Sequence, residues 1–117
     1  MSLKIFHNPR CSKSRATLAL LEQRDVDVQV VEYLKDPPSA AELQEIGRRL
    51  GKPALQMMRT KEKRFQELGL SSGDRRSENE WFRILSDNPV LIERPIVLYR
   101  GRAVIGRPPE NVLAILE

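Results

Sequence analysis

Leu3-Lys4-Ile5-Phe6, followed by His7-Asn8-Pro9-Arg10-Cys11-Ser12-Lys13-Ser14-Arg15 and then Ala16-Thr17-Leu18-Ala19-Leu20-Leu21-Glu22-Gln23, is the stretch that decides the fold. The first four residues read as a short apolar strand. The last eight carry apolar residues at helical spacing. Cys11, the only cysteine of the chain, therefore falls where a strand gives way to a helix. Ser12 or Ser14 is the expected N-cap, because hydroxyls are favoured there. Amides that open a helix have no intrahelical partner, and the helix dipole is positive at that end. Such a terminus holds anions and favours thiolate over thiol. Arg10, Lys13 and Arg15 add positive charge close by. A solitary cysteine is often just a small buried apolar residue. This one has Arg, Ser, Lys and His for neighbours, which is the company of a reactive thiol. Lowering its pKa from about 8.5 to about 6.5 takes only about 2.7 kcal/mol of preference for the thiolate.

Outward from this stretch, Val26-Asp27-Val28-Gln29-Val30 alternates apolar and polar, the period of a half-buried strand. Strand, helix, strand is a crossover that is right-handed when the strands are parallel. Lys35-Asp36-Pro37-Pro38 breaks the pattern. Ser39-Ala40-Ala41-Glu42 then forms a capping box, with Leu43, Ile46 and Leu50 on one helix face and Gly51 at its end. Pro53 suits the start of a short helix over 54–58, and Arg59 follows. The charged segment 61–68 leads to loop points at Gly69 and Gly73. Ser77-Glu78-Asn79-Glu80 is a second capping box ahead of Trp81, Phe82, Ile84 and Leu85, and Asn88-Pro89 closes that helix.

The last quarter changes character. Ile96-Val97-Leu98-Tyr99 and Ala103-Val104-Ile105 flank Arg100-Gly101 and read as a hairpin with a two-residue turn. In that register Tyr99 opposes Arg102, and the ladder continued outward sets Arg94 opposite Arg107. The open end of the hairpin thus gathers two arginines, either as solvated rim charges or as an anion clamp. Pro108-Pro109 is expected to start a last helix over 110–116, with Val112, Leu113 and Ile115 inward.

With 117 residues the chain is expected to be one α/β domain large enough for a core without staples. One cysteine excludes an internal disulfide, and one histidine beside it excludes an ordinary zinc cluster. The sequence carries no pattern of a signal peptide and no apolar stretch of membrane length, so a reducing, cytoplasmic setting is expected. The formal net charge is +4, from 20 Lys and Arg against 16 Asp and Glu. The two signs are interleaved along the chain and no aromatic stacking motif is visible. A small anion therefore fits better than nucleic acid, and neither nucleic acid nor a membrane is expected as a partner.

His-Asn-Pro-x-Cys-x-x-Ser-Arg at the start resembles the glutaredoxin-dependent arsenate reductase family. So do Met58-Arg59 in the middle, Glu93-Arg94-Pro95-Ile96-Val97, and Gly106-Arg107-Pro108-Pro109. The resemblance spans nearly the whole chain and is nearest to the short members of that family. It implies a thioredoxin-like fold with a helical insertion over about residues 39–92 and a cis-proline at Pro95. It implies Cys11 as the nucleophile, with His7 assisting its ionisation and orientation. Arg59, Arg94 and Arg107 are implied as the arginines that hold the oxyanion, with Ser14 and Arg15 completing the loop. It further implies arsenate or a similar oxyanion as substrate, no bound cofactor, glutathione as co-substrate and glutaredoxin as partner. Cysteine arithmetic agrees, since one thiol cannot deliver two electrons without a second from outside. Two other readings stand beside it: a regulatory module of the same fold contacting RNA polymerase, and a glutathione-linked thiol transferase. The redox-sensing regulators resembling this fold use Cys-x-x-Cys, and Ser14 occupies the second position here.

Overall fold

In a computed structural model that describes residues 2–116, the chain forms two compact units. One holds the chain up to Asp36 and again from Arg94. The other holds Pro37–Glu93.

The first unit is built on a four-stranded sheet of order β2-β1-β3-β4, with β1 Ser2–His7, β2 Asp27–Glu32, β3 Ile96–Tyr99 and β4 Arg102–Ile105. β1 and β2 run parallel, joined by helix α1, Ser12–Glu22. β3 is antiparallel to β1, with Ile5 opposite Val97, and β4 is antiparallel to β3. Because strand side chains alternate, Leu3 and Ile5 share one face. There they pack with Leu21 of α1, Val97 and Tyr99 of β3, and Val112 and Ile115. His7 has the same parity and is carried to the same side, beneath the start of α1.

The hairpin takes the register expected of it, Tyr99 opposite Arg102. Arg100 at φ 50° and Gly101 at φ 76° both lie in the left-handed region, as a two-residue turn matched to strand twist requires. The expected last helix is present over Pro109–Leu116 and is 3₁₀. Side chains three apart eclipse in that geometry. Val112 and Ile115 are accordingly buried while Leu113, between them, is only partly covered.

The second unit is helical. α2 (Ala40–Leu50) opens on the Ser39 capping box and ends at Gly51 with φ 67°. A 3₁₀ turn spans Ala54–Met57, α3 spans Lys63–Glu67, and α4 (Glu78–Asp87) opens on the Ser77 capping box. Met58 and Ile92 form a lone antiparallel bridge, flanked by Arg59 N–H donating to the Leu91 carbonyl at 2.7 Å. No helix among the described residues is long and apolar enough to cross a membrane.

One backbone rung matters beyond the ladder. Gly106 N–H donates to the Pro95 carbonyl at 2.9 Å, and the Thr17 hydroxyl of α1 reaches the Gly106 carbonyl at 3.5 Å. A Cβ on Gly106 would lie 2.7 Å from Thr17 Oγ1 and 2.9 Å from Pro95 Cγ. Overpacking of this kind costs about 1–3 kcal/mol. Gly106→Ala is therefore expected to lower the thermal midpoint by about 5 °C or more. A calorimetric scan checks it, and an unchanged midpoint would mean that this junction is loose.

Candidate active site

α1 begins in an unusual way. The N-cap is Cys11 itself, with φ −95° and ψ 122°, and no side chain makes a capping hydrogen bond. Neither Ser12 nor Ser14 takes the role expected of it. Counting from Cys11, Lys13 and Ser14 are the second and third helical residues, whose amides a capping side chain normally receives. Those two amides favour the thiolate form of Cys11. The sulfur sits at the cap position without making a capping hydrogen bond.

Ser14 is unavailable as a cap because its hydroxyl is engaged elsewhere. It lies 2.6 Å from His7 Nδ1 and accepts from the Asn8 amide at 3.0 Å. Asn8 organises the rest of the loop. Its carbonyl receives the Cys11 amide at 3.0 Å and its side-chain oxygen receives the Arg10 amide at 3.0 Å. Sequence reading gave Asn8 no role. The available signal was the habit of Asn side chains of folding back on the backbone two residues on. Arg15 donates to the Pro9 carbonyl at 2.9 Å and so braces the loop from outside.

Opposite the helix mouth stands the end of the hairpin. The Arg94–Pro95 and Arg107–Pro108 bonds are both cis. Arg107 Nε donates to the Arg94 carbonyl at 2.6 Å, and Arg107 Nη2 lies 3.8 Å from the Cys11 sulfur. The Arg94 guanidinium also acts on that sulfur. The two hairpin arginines thus converge on the thiol together with the helix amides.

The electrostatics follow from these contacts. Burial is the largest single influence on Cys11 and pushes its thiol up. The Ser14 amide, the Arg94 guanidinium and the Lys13 amide outweigh it together, so ionisation falls below the ordinary thiol range. His7 is shifted the other way in charge. Burial holds its proton affinity below the usual imidazole value, against the pull of Glu32 and Glu22. A neutral imidazole adds no cation to the site. What His7 contributes is the bond that fixes Ser14, and through it the Ser14 amide.

Of the residues singled out from sequence, the first unit brings together Cys11, His7, Ser14, Arg94 and Arg107. Arg15 is turned to the loop backbone. Arg59 belongs to the second unit, where Glu62 lies 3.1 Å and Glu93 3.2 Å from its guanidinium. Among the described residues no cluster of three or more His, Cys, Asp or Glu is placed to hold a metal ion.

The ArsC family model matches residues 6–115. The chain belongs to the ArsC family. Among its relatives, an arsenate reductase of Neisseria meningitidis is 49% identical over 115 residues, covering 97% of each chain. One from Haemophilus influenzae is 49% identical over 117 residues, covering 99% of this chain and 100% of the relative. The solved arsenate reductase of Vibrio cholerae superposes with a TM-score of 0.92 at 47% identity, covering 98% of both chains. The ArsC thioredoxin-like fold is therefore that of this chain, and the sheet order and helical segment described above are its parts.

The thiol's alkylation rate should rise with pH along a curve centred below the ordinary thiol value of about 8.5. Arg94→Ala should move that centre upward, because it removes a donor and a charge from the thiolate. The same shift has a sign in stability. The folded thiol ionises below the unfolded one, so the thiolate contacts stabilise fully above the unfolded pKa. They are lost as pH falls through the folded value. Iodoacetamide kinetics against pH, with and without Arg94, check both.

Proposed function

We propose that this ArsC chain is an oxidoreductase that reduces arsenate to arsenite, with Cys11 as nucleophile and thiols as the electron source. The observation that carries the reading is one sulfur, the only one of its kind in the chain, facing helix amides and two converging guanidiniums. The names of its nearly full-length relatives supply the substrate.

The Cys11 thiolate attacks arsenic, forms a sulfur–arsenic bond and expels one oxygen as water once protons are supplied. Arsenic is still pentavalent in that adduct. Arg94 and Arg107 offset the charge on its oxygens, as preorganised donors do where charge develops. The family resemblance adds Arg59 as a third arginine for the oxyanion. A glutathione thiolate then attacks the Cys11 sulfur. The sulfur–arsenic bond breaks toward arsenic, which leaves as arsenite, and Cys11 is left in a mixed disulfide with glutathione. Glutaredoxin attacks the glutathione sulfur and returns Cys11 as thiolate. Two thiols become one disulfide for each arsenic reduced by two electrons. The scheme places the protein where reduced glutathione is abundant, in the cytoplasm. Ser14, Arg15 and His7 shape the loop in this reading.

Cys11→Ser is expected to abolish turnover, and wild type is expected to turn over only when both glutathione and glutaredoxin are supplied. Arsenite release coupled to NADPH through glutathione reductase measures it. Activity surviving Cys11→Ser, or running without added thiol, would refute the scheme.

A further inference from the structure

Tyr33 follows directly on β2 and is 0% exposed, yet its hydroxyl has no hydrogen-bond partner. A buried phenol normally finds one. The polar groups that act on this hydroxyl are the Arg94 guanidinium, the Asn8 side chain and the Cys11 sulfur. They are the same groups that build the mouth of α1. In the β1–β2 ladder His7 lies opposite Glu32, which sets Tyr33 beside Asn8 at that mouth. Burial, the largest influence, holds the phenol above its usual ionisation range, so it keeps its proton at working pH. Among the described residues that proton has no acceptor. The Asn8 side-chain oxygen receives the Arg10 amide.

We propose that Tyr33 is a further binding residue of this site, whose hydroxyl donates to an oxygen of the tetrahedral oxyanion held between Arg94 and Cys11. The inference rests on the oxyanion site of the preceding section and extends it. An anion there supplies the acceptor that the protein withholds. Guanidiniums and helix amides recognise charge at long range. A neutral hydroxyl at fixed distance recognises where an oxygen lies, and it gives that help only when the site is filled.

The test is Tyr33→Phe, which removes only the oxygen. Affinity for arsenate, and for phosphate as a non-reducible probe, is read by protection of Cys11 from iodoacetamide. Affinity is expected to fall about tenfold, equivalent to about 1.4 kcal/mol, with a matching loss in kcat/KM. The alkylation rate without anion should stay at the wild-type value and the melting midpoint should not fall, which a purely structural role would not allow. If neither anion protects wild type, the oxyanion site fails and this inference with it. If wild type is protected and Tyr33→Phe equally so, the inference alone is overturned. Should Tyr33→Phe not fold, ultraviolet difference absorbance in a Tyr99→Phe background follows the remaining phenol in place. Saturating phosphate is expected to raise its ionisation midpoint. A midpoint that does not move would overturn the inference.

Discussion

Everything at the functional end depends on a sulfur seated at the N-cap of a helix, where the opening amides favour its thiolate. Burial alone would keep the Cys11 thiol protonated, since desolvation penalises the charged form. Each pKa unit gained against that penalty needs about 1.4 kcal/mol of preference for the thiolate. The Lys13 and Ser14 amides supply part of it at no cost in flexibility, because α1 already fixes them. Arg94 supplies the charge that the amides lack. The same amides and guanidinium that ionise the sulfur also suit an incoming oxyanion, so nucleophile and binding site draw on one set of donors.

That economy requires the loop to be rigid, and the loop is rigid through neutral hydrogen bonds. His7, carried beneath α1 by strand parity, holds the Ser14 hydroxyl. Asn8 ties the Cys11 amide and the Arg10 amide to a single residue. Keeping His7 uncharged matters here. An imidazolium would sit in a buried place that disfavours it.

Much of the fold was legible in the sequence where the signal is local. Both capping boxes, the glycine that ends α2 and the hairpin register follow from neighbours a few residues apart. The cap of α1 was not legible. Ser12 and Ser14 are the better caps by residue type. What removes Ser14 is a bond to His7, seven residues earlier and on a different element. Tyr33 carried no signal in the sequence, and only the fold shows its buried, unpartnered hydroxyl. The closing helix reads equally well as α or 3₁₀ in so short an apolar stretch. Packing of Val112 and Ile115 on the sheet decided between them. Arg94 and Arg107 were foreseen as a pair, because a ladder extended on paper reaches the same place as the chain.

The rung between Pro95 and Gly106 gives that pair a further property. It fixes the backbones from which the two guanidiniums spring, and Arg107 Nε is itself tied to the Arg94 carbonyl. The roots of the two arginines are therefore held at one spacing, like the pins of a hinge. A change in that spacing would have to come from the hairpin frame and not from the arginines it carries.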